Sequence, residues 1–196
     1  MLNGSAARWL GYRLGWRSAD TQTTPGERAC LARYAAGKRS LVEIGVMHGV
    51  NTGLLRSVMD LEGRIIGIDP HPPGRLGISF ERKIAQHELS RHPRGHATLL
   101  RRWSHEVAVD WSIPIDFLFI DGDHSWRGID GDWRGFSPHV VLGGVVALHD
   151  SRSVPDVPDL ESVRYTRDVI LVDPAFRLVD AVDSLTVLER VAGGSL

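Results

Sequence analysis

The sequence has few of the features that mark secreted or membrane-spanning proteins. Its single cysteine, Cys30, excludes an internal disulfide and is compatible with a reducing compartment. No apolar run approaches the roughly 20 residues that a membrane span needs, and the N-terminus lacks the apolar core of a signal peptide. We therefore expect a soluble, cytoplasmic protein without a membrane partner.

An excess of charge of one sign is also lacking. The chain has 23 Lys and Arg against 24 Asp and Glu, and its formal net charge is −1. There is no basic stripe with interleaved aromatic residues, so we expect no nucleic-acid partner. A length of 196 residues suits one domain, with an N-terminal helical segment at 1–38 and a core at 39–196. The Trp-rich stretch 5–17 predicts a docking segment that would suit a homodimer.

Strand and helix signals alternate along the chain. Thr24-Pro25-Gly26-Glu27 is a capping box that opens a helix, which Gly37 closes. Apolar runs predict strands at 41–46, 64–68, 97–101, 115–120 and 144–148, and helices are predicted near 51–62, 80–91 and 126–136. Such continuous apolar strands are typical of a parallel sheet covered on both faces. Residues 176–191 are two further strand-like runs, so we predict a doubly wound, Rossmann-like α/β fold with a seven-stranded, mostly parallel sheet and an antiparallel C-terminal strand.

The residues that could bind a ligand or take part in a reaction follow the ends of the strands. In "VEIGVMHGVNT" (42–52), Glu43 ends the first strand and Gly45 opens a glycine turn. Its GxxxG spacing lacks the middle glycine that admits a pyrophosphate in dinucleotide-binding proteins. Asp69 ends the second strand, where an acid is placed to take the hydroxyls of a ribose. After the third strand, Trp103 and Ser104 are placed to cover and hydrogen-bond a base.

The fourth strand ends in "FLFIDGDHSW", in which a buried apolar run meets Asp121, Asp123 and His124. Carboxylates and an imidazole at that place are costly to desolvate unless a charge or a hydrogen bond meets them. The fifth strand ends in a similar way, with His149 and Asp150.

With these motifs the chain resembles a class I S-adenosylmethionine-dependent methyltransferase. Within that superfamily it is similar to small bacterial O-methyltransferases whose fourth strand ends in an "FIDGDHSY"-type motif, and the likeness runs from about residue 40 to the last strand, "SLTVLER". The resemblance implies that S-adenosylmethionine is bound by Glu43 and Gly45 at the methionine half, Asp69 at the ribose, Trp103 and Ser104 at the adenine edge, and Asp121 beside them.

The resemblance extends to cation-dependent catechol-type and sugar O-methyltransferases, in which acids after the fourth and fifth strands hold magnesium. The matching positions are Asp121 and Asp150, but Ser151 stands where those families often carry Asn or another acid. Without a metal, an imidazole would take the proton of the acceptor hydroxyl. The candidates are His124, then His149, then His71. A metal-held and an imidazole-activated hydroxyl both stay open.

We therefore expect an O-methyltransferase that acts on a small molecule, a sugar or a secondary metabolite. A nicotinamide-dependent oxidoreductase and a non-catalytic nucleoside-binding protein are the alternatives. Substrate walls are expected in the loops at 71–77 and 151–162, because specificity usually resides in loops over a rigid scaffold. Asp123 is expected either to act at the site or only to cap the helix that begins near Ser125.

Overall fold

A computed structural model of the chain describes residues 4–74, 77–155 and 160–192. The strands are β1 Ser40–Ile44, β2 Arg64–Ile68, β3 His96–Leu100, β4 Ile115–Ile120, β5 Val140–Leu148, β6 Phe176–Val182 and β7 Leu185–Arg190. The α-helices are α1 Gly4–Arg13, α2 Pro25–Ala35, α3 Val50–Val58, α4 Phe80–Ser90, α5 Ser104–Ala108, α6 Trp126–Phe136 and α7 Glu161–Tyr165. Parts of both predicted substrate loops, residues 75–76 and 156–159, lie outside the described residues.

The strands form one seven-stranded sheet in the order β3-β2-β1-β4-β5-β7-β6. Strands β1 to β5 pair in parallel, and β7 runs antiparallel to both of its neighbours, β5 and β6. The predicted doubly wound, mostly parallel sheet is therefore confirmed. The chain moves outward to one side of β1 through β2 and β3 and then returns to β4 on the other side. A crevice opens at such a switch point, at the carboxyl ends of β1 and β4.

Two element boundaries differ from the predicted ones by four residues. Helix α3 ends at Val58 instead of residue 62, because the backbone of Met59 turns to an extended conformation with ψ of 173°. Strand β5 starts at Val140 instead of 144, and its pairing with β4 shifts in register between Ile115 and Phe117. The predicted capping box of α2 is present: the Glu27 amide donates to Thr24 Oγ1 at 3.1 Å, and the Thr24 amide donates to Glu27 Oε2 at 2.8 Å.

Both faces of the sheet are covered by apolar packing, as continuous apolar strands require. On one face, α6 packs through Ile129, Trp133 and Phe136, which recur at helical spacing in the sequence. On the other face, Leu31 of α2 and Leu55 of α3 cover the sheet. The strand ends are thus held between two packed layers, which positions the side chains that follow them.

The N-terminal segment contains α1 and α2. Helix α1 is anchored to α4 by Tyr12, whose hydroxyl donates to Glu88 Oε1 at 2.7 Å and lies 2.6 Å from His87 Nδ1. Leu14 and Trp16, which follow α1, are exposed. A homodimer through this segment stays a prediction. Among the described residues, no helix combines the length and the apolar character needed to cross a membrane.

Candidate functional site

A cavity of about 440 Å³ opens at the carboxyl ends of β1, β2 and β4. We call it the switch-point cavity. The predicted site residues that line it are Gly45, Asp69, Trp103, Ser104, Asp121 and His124. Side chains predicted from separate stretches of sequence are thus brought to one place by the parallel strands.

Gly45 is the point at which two strand ends touch. Its φ is 86°, and a Cβ added there would lie 2.0 Å from the backbone oxygen of Asp121. The Gly45 amide donates to Ile68 O at 2.9 Å, and the Asp121 amide donates to Ile44 O at 2.8 Å. Glycine is required here for both its left-handed conformation and its lack of a side chain.

Asp69 holds the loop that follows β1. Its Oδ2 accepts hydrogen bonds from the amides of Val46 and Met47, both at 2.9 Å, and its Oδ1 accepts from the amide of His71 at 2.7 Å. Amides at this position, just before a helix, are the ones that bind pyrophosphate in dinucleotide-binding folds. In this chain a carboxylate of the protein already occupies them.

Glu43 and His71 do not line the switch-point cavity. Glu43 is 1% exposed, and burial raises the pKa of its carboxyl well above the usual range; the nearby hydroxyl of Thr52 opposes this rise, and the charges of Asp121 and Asp69 add to it. His71 is also 1% exposed, and its Nε2 lies 2.8 Å from Met47 O. Neither is among the described residues that line the cavity. The contact of Glu43 with the methionine half therefore stays a prediction, and His71 lies apart from the other base candidates.

The helix that follows β4 is capped by Ser125, not by Asp123. Ser125 Oγ accepts a hydrogen bond from the Gly128 amide at 3.1 Å. Asp123 in turn fixes that serine, because its two carboxylate oxygens accept from the amide and from the hydroxyl of Ser125, each at 2.9 Å. This arrangement positions His124, whose side chain is 29% exposed and whose Nε2 lies 3.5 Å from Asp150 Oδ2.

His149 lies among three carboxylates. Its Nδ1 is 3.0 Å from Asp121 Oδ1 and 3.5 Å from Asp150 Oδ2, and its Nε2 is 3.3 Å from Glu27 Oε2. Burial by itself lowers the pKa of His149, but the contacts with Asp121 and Glu27 and the charge of Asp150 raise it to about 10. His149 is thus a cation at neutral pH and is not free to act as a base.

Glu27 is a residue that sequence reasoning assigned only to a helix cap. Its carboxylate also accepts from the amide and the hydroxyl of Ser184, at 3.0 and 2.7 Å. Burial alone raises the pKa of Glu27, whereas the bonds from His149, Thr24 and Ser184 lower it to about 2. The sequence did not reveal the contacts of Glu27 with His149 and Ser184, because the capping box already explains a glutamate at that position.

The pairing of Glu27 with His149 makes the stability of the fold pH-dependent. The pKa of His149 rises from 6.5 to about 10 on folding, so its contribution is fully present below pH 6.5 and is lost as the pH rises toward 10. Since the pKa of Glu27 falls from 4.5 to about 2, its contribution is present above pH 4.5 and is lost below it. We expect urea unfolding to show a decreasing free energy of unfolding from pH 6.5 to 10, and this alkaline decrease to be smaller in His149→Gln. Parallel curves for the two proteins would contradict this assignment.

The same geometry tests whether Asp121 and Asp150 suit a magnesium ion. Their carboxylates face one nitrogen of a buried, protonated imidazole, which lies where a shared cation would have to be. A dication there would be repelled by that charge. Among residues 4–74, 77–155 and 160–192, no three His, Cys, Asp or Glu side chains form a group that could hold a metal ion. The residues present therefore do not fit the metal that the resemblance implies.

Asp132 is a second residue that sequence reasoning missed. It is 3% exposed and lines the switch-point cavity together with Ser104. Burial raises its pKa to about 6, a hydrogen bond with Ser104 opposes the rise, and the charge of Asp123 adds to it. The position of Asp132 in the sequence could have indicated that it is buried, because it shares the apolar face of α6 with Ile129 and Phe136.

The segment between α1 and α2 also reaches the site. Asp20, Thr21 and Gln22 line the switch-point cavity, and the Asp20 amide donates to Nδ1 of the buried His48 at 2.9 Å. Nothing in the composition of this polar stretch indicates a ligand wall. His48 lies in the loop that follows β1, and its hydrogen bond with Asp20 is one of the contacts that hold the segment at the cavity.

A second cavity, of about 480 Å³, lies at the end of β5, and we call it the β5 cavity. The described residues that line it are Gln22, Thr24, Glu27, His149, Asp150, Val154, Pro155, Asp183 and Ser184. Val154 and Pro155 belong to the predicted substrate loop after β5, and Gln22 lines both cavities.

Comparison with known proteins agrees with this arrangement. Residues 42–151 match the family described as a methyltransferase domain. The chain is 27% identical over 115 residues, 56% of its length, to the uncharacterized protein R132 of Acanthamoeba polyphaga mimivirus, and it spans 50% of the length of that relative.

Solved structures share the fold at low sequence identity. Cofactor-bound Rv0187 from MTB is 16% identical with a TM-score of 0.69, over 96% of this chain and 90% of that one. The O-methyltransferase TomG from Streptomyces achromogenes, involved in tomaymycin synthesis and solved with SAM, is 15% identical with a TM-score of 0.67, over 98% and 92%. An rRNA methylase from Streptococcus thermophilus is 14% identical with a TM-score of 0.61, over 88% and 100%.

Proposed function

The chain belongs to the methyltransferase-domain family, and we propose that it transfers the methyl group of S-adenosylmethionine to a hydroxyl of a small molecule, a sugar or a secondary metabolite. The observation that carries this proposal is the charge of the switch-point cavity. It is lined by the five acids Asp20, Asp69, Asp121, Asp123 and Asp132, and no Lys or Arg is among the described residues that line it. An acidic cavity suits a ligand that carries a sulfonium and an ammonium group.

The same residues argue against the alternative of a nicotinamide-dependent oxidoreductase. A dinucleotide needs free backbone amides for its pyrophosphate, but Asp69 accepts the hydrogen bonds of the Val46 and Met47 amides. A pyrophosphate placed there would also meet the charge of Asp69 itself. A non-catalytic nucleoside-binding protein would use the switch-point cavity but would have no need for a second cavity beside His124 and Asp150.

His124 is the proposed base. When bound, S-adenosylmethionine supplies a methyl group that passes to the acceptor oxygen as the carbon–sulfur bond breaks and its electron pair stays on sulfur. The chain must hold the acceptor hydroxyl in line with that group and remove its proton. Because Nε2 of His124 faces Asp150, Nδ1 is the nitrogen that would take the proton, and Asp150 would stabilise the resulting cation. His149 would remain protonated throughout and would hold Asp121 in place.

Isothermal titration calorimetry tests the cofactor. We expect S-adenosylmethionine to bind with one site per chain and NADH to give no heat of binding. Methyl transfer to a panel of hydroxylated acceptors then separates the enzyme from a binding protein. Binding of NADH without binding of S-adenosylmethionine would overturn the proposal.

Replacing Asp69 with asparagine is expected to weaken S-adenosylmethionine about 10- to 100-fold, which corresponds to the loss of a charged hydrogen-bond acceptor worth about 1.5–3 kcal/mol. The side-chain amide introduced by this change would also present a donor to the loop amides from which Asp69 now accepts. The matched control is Glu62→Gln, because Glu62 is an acid whose side chain is 82% exposed and which precedes β2, at the opposite end of the parallel strands. Equal affinities for the wild type and Asp69→Asn would contradict a role of Asp69 at the ribose.

A further inference from the structure

The walls of the β5 cavity and of the switch-point cavity touch each other at two places. Asp121 lines one cavity and His149 the other, and their closest atoms are 3.0 Å apart. His124 and Asp150 make a second contact of the same kind at 3.5 Å. A molecule in the β5 cavity therefore lies next to Asp150, the carboxylate that contacts His124.

The charge of the β5 cavity is negative after its internal pairing is counted. Glu27 and His149 compensate each other at 3.3 Å. Asp150 and Asp183 remain, and Asp183 accepts a hydrogen bond from the neutral hydroxyl of Thr24 at 2.6 Å. No Lys or Arg is among the described residues that line the cavity. Phosphates and carboxylates would be repelled, and a cation would be attracted.

His149, which lines the cavity, carries a buried donor that lacks a well-directed partner. The side chain of His149 is 3% exposed, and its Nδ1 makes no hydrogen bond of good geometry among the described residues, although Asp121 and Asp150 are near. A buried donor of this kind is costly unless a ligand or water meets it. An acceptor hydroxyl oxygen supplies such a partner. Val154 and Pro155 add an apolar wall that suits the carbon face of a ring.

Building on the proposed methyltransferase function, we infer that the β5 cavity holds the methyl acceptor and that this acceptor is a hydroxylated compound carrying a protonated amine. Its hydroxyl lies toward His124 and His149, and its ammonium group lies toward Asp183. The charge of both cavities disfavours anionic hydroxylated compounds, nucleic acid among them.

Matched probes that differ only in charge test this inference. One set is dopamine, 4-ethylcatechol and 3-(3,4-dihydroxyphenyl)propionate, and a second is the methyl glycosides of glucosamine, glucose and glucuronate. Their binding to the full chain saturated with S-adenosylhomocysteine is measured by ligand-observed NMR, so that turnover of a particular scaffold is not required. We expect the amine of at least one set to bind at least tenfold more tightly than its carboxylate partner, with the neutral compound between them, and the preference to shrink at high salt.

The variant Asp183→Asn locates the effect. Its side-chain oxygen can still accept from Thr24, so the fold is retained while the charge is removed. We expect the amine preference to fall about tenfold with the neutral probe unchanged, and Asp110→Asn, an exposed acid on another face, to behave as the wild type. Failure of S-adenosylhomocysteine to bind would overturn the proposed function together with the inference. Normal cofactor binding with equal or tighter binding of the carboxylates, or with no binding of either amine, would overturn the inference alone.

Discussion

Replacing His124 with alanine is expected to lower kcat by about 10²- to 10⁴-fold, the usual contribution of a positioned general base. His124 is the histidine that lines the switch-point cavity, and its side chain is 29% exposed beside the single carboxylate of Asp150. His149 is enclosed by three carboxylates and stays protonated at neutral pH. The affinity for S-adenosylmethionine should be unchanged, because a lost base affects proton removal and not cofactor binding.

Chemical rescue separates this loss from a structural one. Added imidazole should restore part of the activity of His124→Ala. The matched control is His96→Ala, which changes an exposed histidine at the opposite end of the parallel strands. Normal turnover of His124→Ala would contradict the assignment. If turnover were then lost on chelation and restored by magnesium, the hydroxyl would be held by a metal at Asp121 and Asp150 after a rearrangement of His149.

Replacing Gly45 with alanine is expected to lower the free energy of unfolding by more than about 4 kcal/mol, in the range reserved for severe local damage. The added Cβ would lie 2.0 Å from the Asp121 backbone oxygen, and the atoms it meets belong to backbone, which cannot swing aside. Relief requires β1 and β4 to separate at the switch point. Binding of S-adenosylmethionine should therefore be lost even where the variant folds at low temperature.

Gly37→Ala is the matched control for this change. Gly37 has a φ of 71°, similar to that of Gly45, but a Cβ added to it meets no described atom within 4 Å. Its cost should be only the conformational one, about 1–2 kcal/mol. Chemical denaturation of the two variants thus separates backbone strain from the close approach of the strands. Equal decreases in the free energy of unfolding of the two variants would show that the structure accommodates the contact with Asp121 without further destabilisation.

Much of the fold could be predicted because its signals are local. The capping box at Thr24 and Glu27, the apolar runs of β1 to β5 and the acids after them depend on neighbours in sequence, and the alternation of strands and helices follows from them. The end of α3 was harder to predict from the sequence, because a helix ends where packing and backbone turns require it and not only where a glycine appears. The bulge at the start of β5 depends likewise on its pairing with β4.

Some features of the candidate site could likewise be predicted from the sequence, and others could not. Gly45, Asp69, Asp121 and His124 follow strand ends, and parallel strands bring their carboxyl ends to one edge wherever the fold is doubly wound. The exclusion of Glu43 from the cavity could not be predicted, because the side on which a side chain lies depends on the pleat and on the helix that covers it. The charge of the site could not be predicted either. The net charge of the whole chain is −1, but it does not show how the charges are distributed. At the edge of the sheet, the described residues that line the two cavities include acids but no Lys or Arg.

Hydrophobic periodicity and turn chemistry act over a few residues, and for that reason the sheet, its switch point and the acids at its edge can be inferred from the sequence. What those acids meet depends on the folded chain. Glu27 on α2 reaches His149 after β5, and the resulting imidazolium faces Asp121 and Asp150. The protonation state of a buried group depends on the charges that folding brings near it, and residues far apart in sequence supply them.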